Sequence, residues 1–179
     1  MGGAQPVDLT HAAERGVFEL LPCDSQVLAV HAALMRTGKV LFFAGSGNDE
    51  LYTTGLRSIV WDYENGGFHR PVTPIDVFCA HQSFMADGRL LVVGGTETYA
   101  FTGLRTAYAF EPATEEWIRL ADMVAAHWYP SAITLGDGRV LAAGAPEIRG
   151  TRSRSTRRRP GGRHRSRSRT TGERSPIWS

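Results

Sequence analysis

HAALMRTGKVLFFAGSG at residues 31–47, HQSFMADGRLLVVGGTE at 81–97 and SAITLGDGRVLAAGAPE at 131–147 are three versions of one unit. They begin 50 residues apart both times, a period expected of repeat folds. Gly38, Gly88 and Gly138 fall in register, and each is followed by a cation, Lys39, Arg89 or Arg139. Apolar residues come next and give way to small ones. Each unit reads as a short apolar strand, a tight turn at Thr37-Gly38, Asp87-Gly88 or Asp137-Gly138, and a Val/Leu-rich strand that closes at Gly45, Gly95 or Gly144. Asp-Gly between apolar runs is the strongest short-range hairpin signal, because glycine accepts positive φ without steric cost.

Two of the units continue in the same way. Ile59-Val60-Trp61-Asp62-Tyr63 and Tyr108-Ala109-Phe110 read as third strands. Each is followed by a turn and an aromatic, Phe68 or Trp117, and by a fourth, outer strand. The chain is therefore expected to be all-β. Four strands per unit, a glycine pair after the second strand and an aromatic after the third match the blade of a kelch-type β-propeller. The expected layout is an N-terminal segment over 1–15, a partial propeller of about two and a half four-stranded blades over 16–147, and an Arg/Ser-rich disordered tail over 148–179. Closed propellers use about four to eight blades. An incomplete set is expected to leave a blade face and a strand edge open, and so to self-associate.

Charge divides the chain at the same place. Residues 1–148 carry nine Lys and Arg against seventeen Asp and Glu, a net −8, whereas 149–179 carry eleven Arg against Glu173, a net +10. The body has no basic patch of the kind nucleic-acid binding requires, so any contact with nucleic acid is expected only through the tail. The tail lacks the apolar residues needed for a core. It reads as the product of a lost coding frame, as an arginine/serine segment for polyanions, or as a solvated linker, and the first reading is preferred because the change falls in mid-blade. No segment has signal-peptide character or an apolar run of about 18 residues, so a cytoplasmic location and no membrane partner are expected. Cys23 and Cys79 are too few for a disulfide framework.

Two short motifs carry more specific information. Asp76-Val77-Phe78-Cys79 before Asp87-Gly88-Arg89, and Trp128-Tyr129-Pro130 before Asp137-Gly138-Arg139, resemble the galactose oxidase and glyoxal oxidase family of copper-radical oxidases. VHAALMRTGKVLFFAGSGND from Val30 resembles the first propeller blade of bacterial members. The resemblance covers roughly residues 16–147. It implies two-electron oxidation of a small primary alcohol or aldehyde, with O₂ reduced to H₂O₂ at a copper site. In that family a cysteine and a tyrosine from neighbouring blades form a thioether, and the tyrosine binds copper and holds the radical. By resemblance these are Cys79 and Tyr129, with Tyr129 the metal ligand. They are one repeat apart, which places them at equivalent positions of adjacent blades.

The chain departs from the family in lacking the later blades that supply the second tyrosine and both histidine ligands. It has no aromatic near Glu147 and carries His81 where glycine is usual. Weak copper binding and no oxidase activity are expected. Without the resemblance, Cys79 would read as a small core hydrophobe and Tyr129 as a packed aromatic. His31 and His81 match through the repeat and read as structural, His127 is not assigned as a ligand, and Trp61 and Trp117 read as blade-packing residues. No helix follows the glycines as a phosphate loop would require. The alternative function is a non-catalytic kelch module that binds protein or carbohydrate through its connecting loops.

Overall fold

The three glycines of the repeat set three nearly identical hairpins. Gly38, Gly88 and Gly138 take φ of +84°, +83° and +84°. The amides of Gly38, Gly88 and Gly138 bond to the carbonyls of Met35, Met85 and Leu135, and those same three residues bond across to Lys39, Arg89 and Arg139. Each loop is therefore three residues long with glycine last, the arrangement that turns a right-twisted hairpin through a left-handed residue. In the second and third loops the aspartate accepts the amide and the Nε–H of the following arginine, at 3.1 and 2.8 Å for Asp87–Arg89 and 3.0 and 2.8 Å for Asp137–Arg139. Thr37 cannot hold a cation this way, and Lys39 instead reaches Glu115 at 2.7 Å.

The computed structural model describes residues 9–18, 20, 23–52, 55–99 and 102–144. A four-residue helix α1 (Ala12–Arg15) precedes an all-β body. Strands β1 (His31–Leu34), β2 (Val40–Gly45), β3 (Arg57–Asp62) and β4 (Gly67–His69) form an antiparallel meander, with a 3₁₀ turn at Glu50–Tyr52 between β2 and β3. Strands β5 (Ala80–Phe84) and β6 (Leu90–Gly94) begin a second sheet, which β9 (Ala107–Glu111) and β10 (Glu116–Arg119) complete. Between β6 and β9 lies a small separate hairpin, β7 (Thr96–Thr98) with β8 (Thr102–Gly103), that the sequence reading did not anticipate. Strands β11 (Ser131–Thr134) and β12 (Val140–Ala143) pair as a further hairpin. The described residues thus form four small antiparallel sheets. The tail expected over 148–179 lies outside them, and among them no helix is long and apolar enough to cross a membrane.

Packing explains why the strands read as they do. Ala33, Leu41 and Val60 stand side by side on one face of the first sheet. Together with Phe43 they bury against Leu90, Val92 and Phe110 of the second. The opposite face of the second sheet, Leu91, Val93 and Ala107, packs on Ala132, Val140 and Ala142 of β11–β12. Every residue of β6 is buried, so its Leu-Leu-Val-Val run shows no alternation. A strand covered on both faces needs none. The β11–β12 hairpin is covered on one face, and the cross-strand pair Ile133 and Leu141 on the other face remains exposed.

Consecutive sheets are also tied at one-repeat spacing. Gln82 Nε2 donates to Ala32 O at 2.8 Å, and Thr134 Oγ1 donates to Phe84 O. Trp117 sits edge-on between Phe43 and Phe110, and Trp61 stacks with Phe42 and Phe68, as packing residues should.

Candidate functional site

Cys79 and Tyr129 each lie just before the first strand of a unit, β5 or β11. Both adopt left-handed backbone, φ +63° and +53°. For residues with a side chain this conformation costs on the order of 1–3 kcal/mol, so the surroundings must impose it. The two are tied to each other there: the Tyr129 amide donates to Cys79 O at 3.0 Å. The neighbouring Cys79 side chain, followed by partial burial, raises the Tyr129 phenol pKa above its ordinary 10.0. Cys79 is 2% exposed, whereas Tyr129 is 60% exposed, so the pair presents one buried sulfur and one accessible ring. Trp128 packs edge-on against the Tyr129 ring, with centroids 4.8 Å apart and planes at 68°.

The turn that carries Cys79 is held by Asp76. Its Oδ1 accepts the amides of Ser46 at 2.9 Å and Phe78 at 3.1 Å, and its Oδ2 accepts the Tyr99 hydroxyl at 3.1 Å. Burial, and the Asp76 carboxylate after it, keep the Tyr99 phenol protonated above its usual range. Gly45 makes this bracket possible, because a Cβ there would lie 2.1 Å from Asp76 Oδ1 and 2.8 Å from the Val77 and Phe78 amides. Sequence reasoning quoted Asp76 only as part of a motif and missed its bracing role. An Asp two residues before an amide it can cap was the available signal.

His31 stacks on Phe43 at 4.6 Å and 15°. Burial, with a smaller contribution from the charge of His81, lowers the His31 pKa below 6.5. The unfolded chain takes up this proton near pH 6.5 and the folded chain resists it, so the stability tied to neutral His31 is present above that pH and declines as pH falls below it. The melting temperature should drop between about pH 7 and 5. His31→Phe, which keeps the stack, should flatten that slope in a thermal-melt series, and an unchanged slope contradicts the assignment. Among the described residues no group of three His, Cys, Asp or Glu side chains is placed to hold a metal ion. The donor set around Tyr129 is one phenol and one thiol, which does not make a copper centre by itself.

The chain matches no protein-family model. It is 32% identical over 128 residues to a protein of Gibberella zeae named galactose oxidase, a match covering 68% of this chain and 18% of that relative. It is 29% identical over 122 residues to a WSC domain-containing protein of Arthroderma benhamiae, covering 62% of this chain and 13% of the relative. The chain thus spans less than a fifth of the length of the curated relatives it matches. Among solved structures it is similar in fold to a fungal alcohol oxidase of the AA5 family in complex with copper. That match has a TM-score of 0.52 and 21% identity, and covers 67% of this chain and 27% of the other.

Proposed function

Because the chain belongs to the galactose oxidase family over the segment it shares with that protein, we propose that residues 16–147 are part of a kelch-type propeller of copper-radical oxidase origin. In this reading the two four-stranded sheets are blades and β11–β12 opens a third. Cys79 and Tyr129 stand where the family has its thioether-forming cysteine and tyrosine, with Tyr129 the copper-binding phenol. The observation that supports this most is the hydrogen bond that joins the two residues across one repeat, from the Tyr129 amide to the Cys79 carbonyl at 3.0 Å.

The reaction class is oxidation of a small primary alcohol to an aldehyde, or of a hydrated aldehyde to an acid, with the two electrons and two protons passing to O₂ to give H₂O₂. Copper, when bound by a complete ligand set, would supply the one-electron chemistry that a lone phenol cannot. The described residues contribute one such ligand, so by themselves they are expected to give no oxidase turnover. A peroxide assay with added copper and a panel of primary alcohols and glyoxal should give no turnover above free copper. Turnover above that background overturns the inactive assignment. A thioether between the Cys79 and Tyr129 peptides after exposure to copper and oxygen, seen as a mass lower by two hydrogens, would favour oxidase origin over a non-catalytic binding module.

A further inference from the structure

We propose that the β7–β8 hairpin is a positioning strap that fixes Tyr129 against Cys79, with Thr96 and Gly103 as its contact residues. The inference rests on reading that pair as the site. Among the described residues, the first unit has the 3₁₀ turn Glu50–Tyr52 and no strand pair at the corresponding place, so the hairpin distinguishes the second unit from the first. Its two ends touch the lead-in segments of both residues.

At one end the Thr96 amide donates to Asp76 O at 2.9 Å and Thr96 Oγ1 donates to Phe78 O at 2.8 Å, immediately before Cys79. Gly95 comes so close there that a Cβ would lie 2.3 Å from Asp76 O. At the other end Leu104 continues the strand, donating to Gly95 O and accepting the His127 amide, both at 3.1 Å. A Cβ on Gly103 would lie 2.2 Å from His127 C and 2.4 Å from the Trp128 amide, immediately before Tyr129. Gly94 and Gly144 also come near this segment, where a Cβ would lie 2.8 Å from His127 O and 3.0 Å from Pro130 Cα respectively, so backbone from three elements closes on residues 127–130. A backbone clamped on both sides is the means by which a left-handed, 60% exposed tyrosine can keep one orientation.

The test measures proximity without copper. In the full chain carrying Cys23→Ser and Tyr129→Cys, the rate at which Cys79 forms a disulfide with the thiol introduced at position 129 under a mild oxidant reports how well the two positions are held. Gly103→Ala adds steric displacement without left-handed strain, since Gly103 is not in that region. It should slow trapping by about tenfold or more, because displacements near 1 Å cost that much in positioned reactions. Thr96→Val, nearly isosteric but lacking the hydroxyl, should slow it several-fold, and Thr96→Ser should restore it. Gly66→Ala, at φ +72° with no atom near the added Cβ, should lower stability while leaving the rate unchanged.

Parent-like rates in both Gly103→Ala and Thr96→Val overturn the strap. If Gly103→Ala does not fold, the Thr96 pair decides alone. Absence of trapping in the parent background overturns the pairing itself, and the strap with it. Trapping that depends on the strap in a chain that forms no thioether would instead leave the strap standing and count only against oxidase origin.

Discussion

Phe43→Ala is expected to destabilise the chain by about 3–5 kcal/mol. The side chain has no exposed surface, lies where the first two sheets meet, stacks with His31 and receives the edge of Trp117 from the neighbouring sheet. Neither sheet can collapse into the space without separating from the other, so the cavity should persist. A melting temperature lower by more than about 10 °C should follow, whereas Leu51→Ala, at a residue 86% exposed, should change stability by less than about 0.5 kcal/mol. A Phe43→Ala melt within about 2 °C of the parent would mean that the two sheets do not share this core.

The second large effect is expected at Gly45. Its φ of +56° already disfavours a side chain, and the added Cβ would collide with Asp76 Oδ1 and with two backbone amides. Relieving the collision displaces the turn that carries Cys79 and breaks the Asp76 bonds to Ser46, Phe78 and Tyr99. A loss exceeding about 2 kcal/mol in Gly45→Ala should appear as a lower urea midpoint. Gly66→Ala shares only the left-handed strain, so it should cost about 1 kcal/mol. Equal costs for the two variants would show that the close approach at Gly45 has no energetic weight.

How much of this the amino acids reveal in advance depends on how local each feature is. The three hairpins were legible because glycine and aspartate fix a turn within five residues, and repetition at a constant interval leaves little room for chance. The third and fourth strands were legible from Trp61, Phe68, Phe110 and Trp117, aromatic residues that a pleated sheet packs against neighbouring strands. The β7–β8 hairpin was not, because strands of two and three residues are too short to show a period, and they pair across residues that carry no turn signature. The left-handed backbone of Cys79 and Tyr129 was equally hidden. Nothing in a cysteine or a tyrosine favours positive φ, and the segments that carry them are closed on by glycines from other elements, Gly45 and Gly95 before Cys79 and Gly94, Gly103 and Gly144 around Tyr129. Asp76 likewise acquires its bracing role only when Gly45, 31 positions earlier, makes room for it. The pairing of Cys79 with Tyr129 could be anticipated from their one-repeat spacing. The extent to which one is buried and the other exposed could not, since that depends on which sheet faces are covered.

The central claim is that adjacent units bring a thiol and a phenol into contact. Nuclear Overhauser spectroscopy on the full chain with Cys23→Ser, labelled at the cysteine β-carbon, addresses it with one remaining cysteine to assign. Cross-peaks from the Cys79 β-protons to the ring protons of Tyr129 are predicted, and they should vanish in Tyr129→Leu. A folded chain in which those β-protons see other side chains but no tyrosine ring would contradict the account.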